Sequence, residues 1–258
     1  MVVVENHFPY RLSLYICTCT LINSLSLLKE YLLFLDTEAS GLPRKWNVPY
    51  SDSANWPSAV QVSWLIYKKN GELVKTANYY ICDADIIIDA SAIKIHGITR
   101  DYLDANGLER TVVMQQLARD MEYYKPLVLG HFAEFDFHVL SADFHRAKIW
   151  NPLPALPSFC TMLASSLYVR DPKINHLRLS ELYAILFKKK LEDSHNALAD
   201  AKATAECFFE LWRRGDVNDA KIEAQQLSRK TSKGSVGFPW LFSFLLFLSF
   251  AMLISLLV

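Results

Sequence analysis

Asp36, Glu38, Asp136, His195 and Asp200 arrive in three widely separated pieces, and any fold this chain adopts has to account for them. The pieces read Phe34-Leu35-Asp36-Thr37-Glu38, then His131-Phe132-Ala133-Glu134-Phe135-Asp136, then His195-Asn196-Ala197-Leu198-Ala199-Asp200. Asp36, Glu38, Asp136 and Asp200 each lie beside an apolar run, where an uncompensated buried charge is costly unless it is paired or bound to metal. Four such carboxylates brought together need a cation.

Residues 31–36, Tyr-Leu-Leu-Phe-Leu-Asp, form a short apolar run suited to a central strand buried on both faces. Residues two apart on a strand share a face, so Asp36 and Glu38 point the same way. The third piece differs. On a continuous helix, His195 and Asp200 would stand roughly 140° apart. His195 is therefore expected to precede a helix, with Asp200 in its first turns.

This residue set suits a two-metal hydrolase acting on a phosphodiester. Carboxylates suit Mg²⁺ and Mn²⁺, and a histidine with an unperturbed pKa of about 6.5 can take a proton from an attacking water near neutral pH.

On these residues the chain resembles the DEDDh group of 3'-5' exonucleases, which have the ribonuclease-H-like fold and include polymerase proofreading subunits. The resemblance covers about residues 30–212, with Asp-x-Glu, Phe-Asp and His-x-Ala-x-x-Asp in the family's order. It implies that Asp36, Glu38, Asp136 and Asp200 hold two divalent cations, Mg²⁺ or Mn²⁺, with His195 as general base. It also implies that Thr37, Phe135 and the Ile95-His96 segment meet the terminal nucleotide. The chain departs from the family at Ala39-Ser40-Gly41, where Thr-Thr-Gly is common, and at Phe132, where Asn is common. Neither departure removes a ligand or the base; both bear on substrate contacts.

Between the pieces, Ala59–Tyr67 alternates as a strand and Glu72–Ile81 gives another, with Asn70-Gly71 as a hairpin turn between them. With residues 31–36 they predict an antiparallel meander. Helical periodicity covers 108–124, 133–147, 177–187 and 196–213, and 126–130 reads as a short buried strand. His131 is expected to hydrogen-bond backbone, and His138 and His145 to lie on an ordinary helix surface. The order predicts an α/β fold with a mixed sheet flanked by helices. The resemblance makes this a five-stranded ribonuclease-H-like sheet, its last short strand near 157–161.

Lysine plus arginine equals aspartate plus glutamate at 27 each, so no global basic field advertises a nucleic-acid partner, and any grip on one is local. The five cysteines are scattered, without zinc spacing or a disulfide framework, which reads as reduced thiols in a cytosol-facing domain. The expected activity is 3'-5' exonuclease action on the 3' end of single-stranded nucleic acid, with DNA favoured. An exoribonuclease of the same family and a non-catalytic, membrane-tethered binding module are the alternatives.

The expected organisation is an N-terminal extension (1–29), an exonuclease domain (30–213), a helix and linker (214–235) and a transmembrane tail anchor (236–258). Phe238–Val258 carries no charge over 21 residues, enough to span about 30 Å of hydrocarbon. Arg229, Lys230 and Lys233 just before it put the catalytic domain on the cytoplasmic side, and 228–234 reads as a flexible connection. Residues 12–28 are uncharged but interspersed with Ser, Thr, Cys and Asn. They read as an extra helix or a membrane-associated segment, with an export signal or a later start as further readings. The loop 43–57 has two readings of equal weight. Trp46, Tyr50 and Trp56, with Arg44 and Lys45, either offer stacking and phosphate contacts to a single strand or pin a long loop to the core.

Overall fold

The computed structural model describes residues 29–234. The expected transmembrane segment 236–258 and nearly all of the N-terminal extension lie outside these residues. Among the described residues, no helix is long and apolar enough to cross a membrane.

The apolar run at 31–36 opens strand β1, Tyr31–Ala39, which extends far enough to carry Asp36 and Glu38 within it. Strands β2 (Ala59–Lys68) and β3 (Leu73–Ile81) pair antiparallel in the expected meander. Their hairpin turns at Asn70-Gly71, where Gly71 takes φ 90° and the Asn70 side chain accepts from the Glu72 N–H at 3.0 Å. Helices α1 (Ala90–His96) and α2 (Arg100–Asn106) follow, then strand β4 (Gly107–Leu108) and helix α3 (Arg110–Tyr124). Strand β5 (Leu127–Gly130), helix α4 (Ala133–Ala147), strand β6 (Ser158–Cys160) and helices α5 (Thr161–Ala164), α6 (Leu179–Phe187), α7 (Ala197–Arg213) and α8 (Asp219–Gly234) complete the order.

The sheet has six strands in the order β4-β3-β2-β1-β5-β6, with β4, β5 and β6 each parallel to a neighbour. This corrects the five-strand expectation. The additional strand is two residues long, too short to show a period. It reaches β3 because Gly107 has no side chain: a Cβ there would stand 2.6 Å from the Leu103 carbonyl and 2.9 Å from the Cys82 nitrogen.

Alternation along β1 builds two cores. Leu33 and Leu35 join Trp64, Leu117 and Phe144 under α3 and α4, while Leu32 and Phe34 join Phe159, Phe208 and Leu211 under α6 to α8. The first core is closed by buried charge. Asp143, fully buried, accepts from the Ala59 N–H at 2.8 Å and from Arg146 at 2.7 Å, and pairs with Arg110 at 3.0 Å. Burial raises its pKa and the two guanidiniums lower it.

Two further expectations change. Residues 228–234, read as a flexible connection, continue α8, which docks by burying Ile222, with Val217 buried just before the helix. Gln225 on α8 pairs with both backbone groups of Cys160 (2.9 and 3.1 Å), capping the outer edge of β6. His138, expected on an ordinary helix surface, stacks on Trp56 at 4.8 Å and 5° and bonds to Tyr50 Oη at 3.0 Å. Trp56 is buried, so this part of the 43–57 loop is pinned to the core.

Candidate active site

The three motif pieces meet at one end of the sheet. In β1, Asp36 and Glu38 lie opposite Ser63 and Gln61 of β2, on the face toward α7. Thr37 points to the other face and donates its hydroxyl to Asp136 Oδ1 at 2.8 Å. Because β5 runs parallel beside β1, the helix that follows it, α4, starts next to the motif and presents Asp136 in its first turn.

Asp200 occupies the first turn of α7, as the spacing predicts, and His195 stands just outside. The break between them is made by Asn196, whose side chain caps α7 by accepting from the Leu198 and Ala199 N–H groups. His195 takes φ 69°, and its backbone N–H donates to Asp200 Oδ2 at 2.9 Å. Ligand atoms of Glu38, His195 and Asp200 all lie within 4.8 Å of one another. Asp36 and Asp136 stand outside that trio but share its electrostatic field.

That field opposes ionisation. Burial, then the charges of Asp136, Asp200 and Glu38, raise the Asp36 carboxyl well above its usual range. Burial with Asp200 and Asp136 pushes Glu38 up to about 8, and burial raises Asp136 to about 7 against the opposing hydrogen bond from Thr37. Asp200 is raised by burial and partly relieved by the His195 N–H. Asp200 Oδ1 is buried and has no hydrogen-bond partner. Four penalised carboxylates with a spare buried oxygen among them fit a divalent cation site, and an all-oxygen carboxylate set suits hard ions.

Of the expected nucleotide contacts, Ile95 is exposed at the end of α1. His96 is half-buried, accepts the Ile98 N–H at Nδ1, and has its pKa lowered by burial, with a smaller push from His195 nearby. Phe135 is half-buried and stacks on Phe132, while Thr37 is buried and committed to Asp136. Thr37 therefore holds the Asp136 carboxylate rather than offering a free hydroxyl. His131 has the backbone role expected of it: it bridges Thr161 Oγ1 and the Leu177 carbonyl, and burial drops its pKa to about 4.

Gln61 is the residue that motif reading misses. It is fully buried across from Glu38, accepts the Ala197 N–H at 3.2 Å, and donates to Asn78 at 2.9 Å and Asn196 at 3.5 Å. It thereby ties the start of α7, with His195 and Asp200, to β2. The readable signal is polar Gln61 and Ser63 two apart in an otherwise apolar strand.

The family described as Exonuclease (RNase_T) matches residues 66–208, more than half of the chain. The chain belongs to the exonuclease family. Asp136, His195 and Asp200 fall within the matched stretch, and β1, with Asp36 and Glu38, precedes it. Over 206 residues the chain is 26% identical to the PolC-type DNA polymerase III of Latilactobacillus sakei subsp. sakei (strain 23K), covering 80% of this chain and 13% of that protein. Among solved structures, E. coli exonuclease I in complex with a dA16 oligonucleotide is similar at TM-score 0.60 and 18% identity, covering 72% of this chain and 41% of that one. A 3'-exonuclease in a structure of histone mRNA stem-loop recognition is similar at TM-score 0.58 and 16% identity, covering 73% and 84%. The chain thus spans a small part of its curated relative and less than half of exonuclease I. The structural likenesses establish the 3'-5' exonuclease fold, and the expectation of an exonuclease enzyme is met at the level of family and fold.

Proposed function

We propose that this chain hydrolyses the terminal phosphodiester at the 3' end of single-stranded nucleic acid, DNA in the first instance, and releases nucleotides stepwise. The observation that carries this is the convergence of Asp36, Glu38, Asp136 and Asp200 from three segments into one buried cluster beside His195. The similarity to a PolC-type DNA polymerase and to an enzyme bound to dA16 favours DNA.

Asp36, Glu38, Asp136 and Asp200 would hold two divalent cations. Bound there, such ions supply charge neutralisation at the phosphate and a more acidic water. Thr37 keeps Asp136 oriented, and Gln61 with Asn196 fixes the start of α7. His195 accepts the proton of the water whose oxygen forms the new bond to phosphorus; the bond to the 3' oxygen of the preceding nucleotide breaks.

The deciding experiment incubates the protein with 5'- and 3'-labelled DNA and RNA strands in Mg²⁺, Mn²⁺ or EDTA. The expected result is progressive shortening of the 5'-labelled strand, early release of the 3' label, and arrest in EDTA. The second reading, an exoribonuclease, is supported by the similarity to the enzyme of the histone mRNA stem-loop structure, and faster shortening of RNA would move the assignment there. Binding of both polymers without shortening of either would leave a non-catalytic binding module.

The proposal extends to location: residues 236–258 anchor the chain in a membrane with the catalytic domain on the cytoplasmic side. Its support is the uncharged 21-residue run after Arg229, Lys230 and Lys233. Deleting residues 235–258 is expected to move the protein from the membrane pellet to the soluble fraction with its activity retained. A full-length protein that already stays soluble after cell fractionation would refute the anchor.

A further inference from the structure

Two open aromatic rings next to the candidate site have no part in the chemistry above. Phe132 is the residue before α4, at φ 65°. A bulky side chain rarely adopts this left-handed backbone, and such conformations persist where the surroundings impose them. The ring gains little burial in return, since 40% of Phe132 remains exposed. It stacks on Phe135 at 6.1 Å and 13°, and Trp46 stands 6.1 Å from it at 54°.

Trp46 is 39% exposed, yet it is held. Its ring packs edgewise on His138 (5.5 Å) and Trp56 (6.4 Å). Those two are themselves stacked, with His138 bonded to Tyr50 and Trp56 buried. The 43–57 loop therefore divides its aromatics: Tyr50 and Trp56 anchor it, and Trp46 is presented. Beside Phe132 opens a cavity of about 620 Å³ lined by Asn47, Tyr50, Phe132, Glu134, Phe137 and His138, among others. Phe132 lies one helical turn before Asp136, so this surface begins where the carboxylate cluster ends.

We infer that Trp46 and Phe132 form a second base-stacking subsite, which takes an unpaired base 5' of the scissile phosphodiester. Preorganised aromatic faces suit a flat heterocycle, and every nucleobase offers a π-face. The Ile95, His96 and Phe135 side of the cluster remains for the terminal nucleotide, and the Phe135–Phe132 stack joins the two positions. The inference rests on the exonuclease reading for the direction of the strand. Because a stacked base must be free of its complement, it also gives the site a preference for single-stranded ends over duplex ends.

The test is a double-mutant cycle between protein and strand. Anisotropy would measure binding of the full-length protein to a fluorescein-labelled oligothymidylate whose 3' linkage is a hydrolysis-resistant phosphorothioate. A single abasic site would be moved stepwise back from the 3' end. In the unaltered protein one abasic position is expected to weaken binding about 5- to 150-fold, the range of base–aromatic stacking. Phe132→Asn, in which asparagine suits the left-handed backbone, and Trp46→Ala are expected to weaken binding of the intact strand by a similar factor. Neither should then lose anything further from that same abasic position, and Phe132→Tyr should restore the dependence. Near-UV circular dichroism checks that the variants keep their fold. Additive penalties, or no binding of the strand at all, would overturn the subsite. Hydrolysis of an ordinary strand in Mg²⁺, read on the same preparation, separates the two readings. Shortening with an additive cycle removes the subsite alone, and a coupled cycle without shortening removes the exonuclease reading alone.

Discussion

Asp36→Asn is expected to lower the rate of 3'-end hydrolysis by about four orders of magnitude, or roughly 5 kcal/mol of barrier. The substitution keeps the shape of the side chain and removes its charge. In the metal-free protein that charge is opposed by burial and by Asp136, Asp200 and Glu38. The same substitution should therefore raise the melting temperature in EDTA while shrinking the stabilisation that Mg²⁺ provides. Lost activity with gained stability separates a metal-site acid from a residue needed for folding, whose loss would lower both. His195→Ala provides the contrast. As general base, His195 should cost about 10²- to 10³-fold in rate and leave the Mg²⁺-induced stabilisation intact. Its ring lies within 4.8 Å of ligand atoms on Glu38 and Asp200, so a ligand role makes the opposite prediction. Loss of the Mg²⁺ effect in His195→Ala would transfer it from base to ligand.

The parts of this site legible in the sequence were those set by local periodicity. Two-residue alternation puts Asp36 and Glu38 on one face of β1, and the helical repeat forces a break between His195 and Asp200. The structure makes that break with the Asn196 cap and a left-handed His195. What stayed hidden depends on contacts between distant segments. Gln61 acts through the Ala197 N–H, 136 positions away, and no motif marks it. Thr37 looks like a substrate hydroxyl until α4 brings Asp136 against it. His138 shows helical spacing and nothing else, and only the folded 43–57 loop turns it into a stacking partner. The same holds for the sheet: the meander follows from alternation and Asn70-Gly71, whereas β4 exists because Gly107 lets two backbones touch. Residues 228–234 look like a linker by composition, yet they continue a helix whose docking depends on Gln225 and the β6 edge.

Stability in the absence of metal should fall as pH rises from about 4 to about 8, the reverse of a domain held together by salt-bridged carboxylates. The sign follows from proton counting. In the folded state Glu38 keeps its proton up to about 8 and Asp136 up to about 7, whereas the unfolded chain releases them near the ordinary 4.5 and 3.8. Between those limits the folded state binds more protons than the unfolded one, so stability declines with pH. The shift at Glu38 alone corresponds to something on the order of 3–5 kcal/mol, most of it lost by about pH 8. For a domain of this size that is roughly 10 °C in melting temperature. Divalent cations should reverse the trend, because they neutralise the charges whose repulsion and burial raise the pKa values, and they bind best where the carboxylates are ionised. At a hundredfold excess over the dissociation constant they add about 2.7 kcal/mol. Melting curves in EDTA and in excess Mg²⁺ across this range test both halves. A flat profile in EDTA would mean that the carboxylates are not crowded as this arrangement requires. A falling profile that Mg²⁺ leaves untouched would mean that the crowding is real but serves no cation.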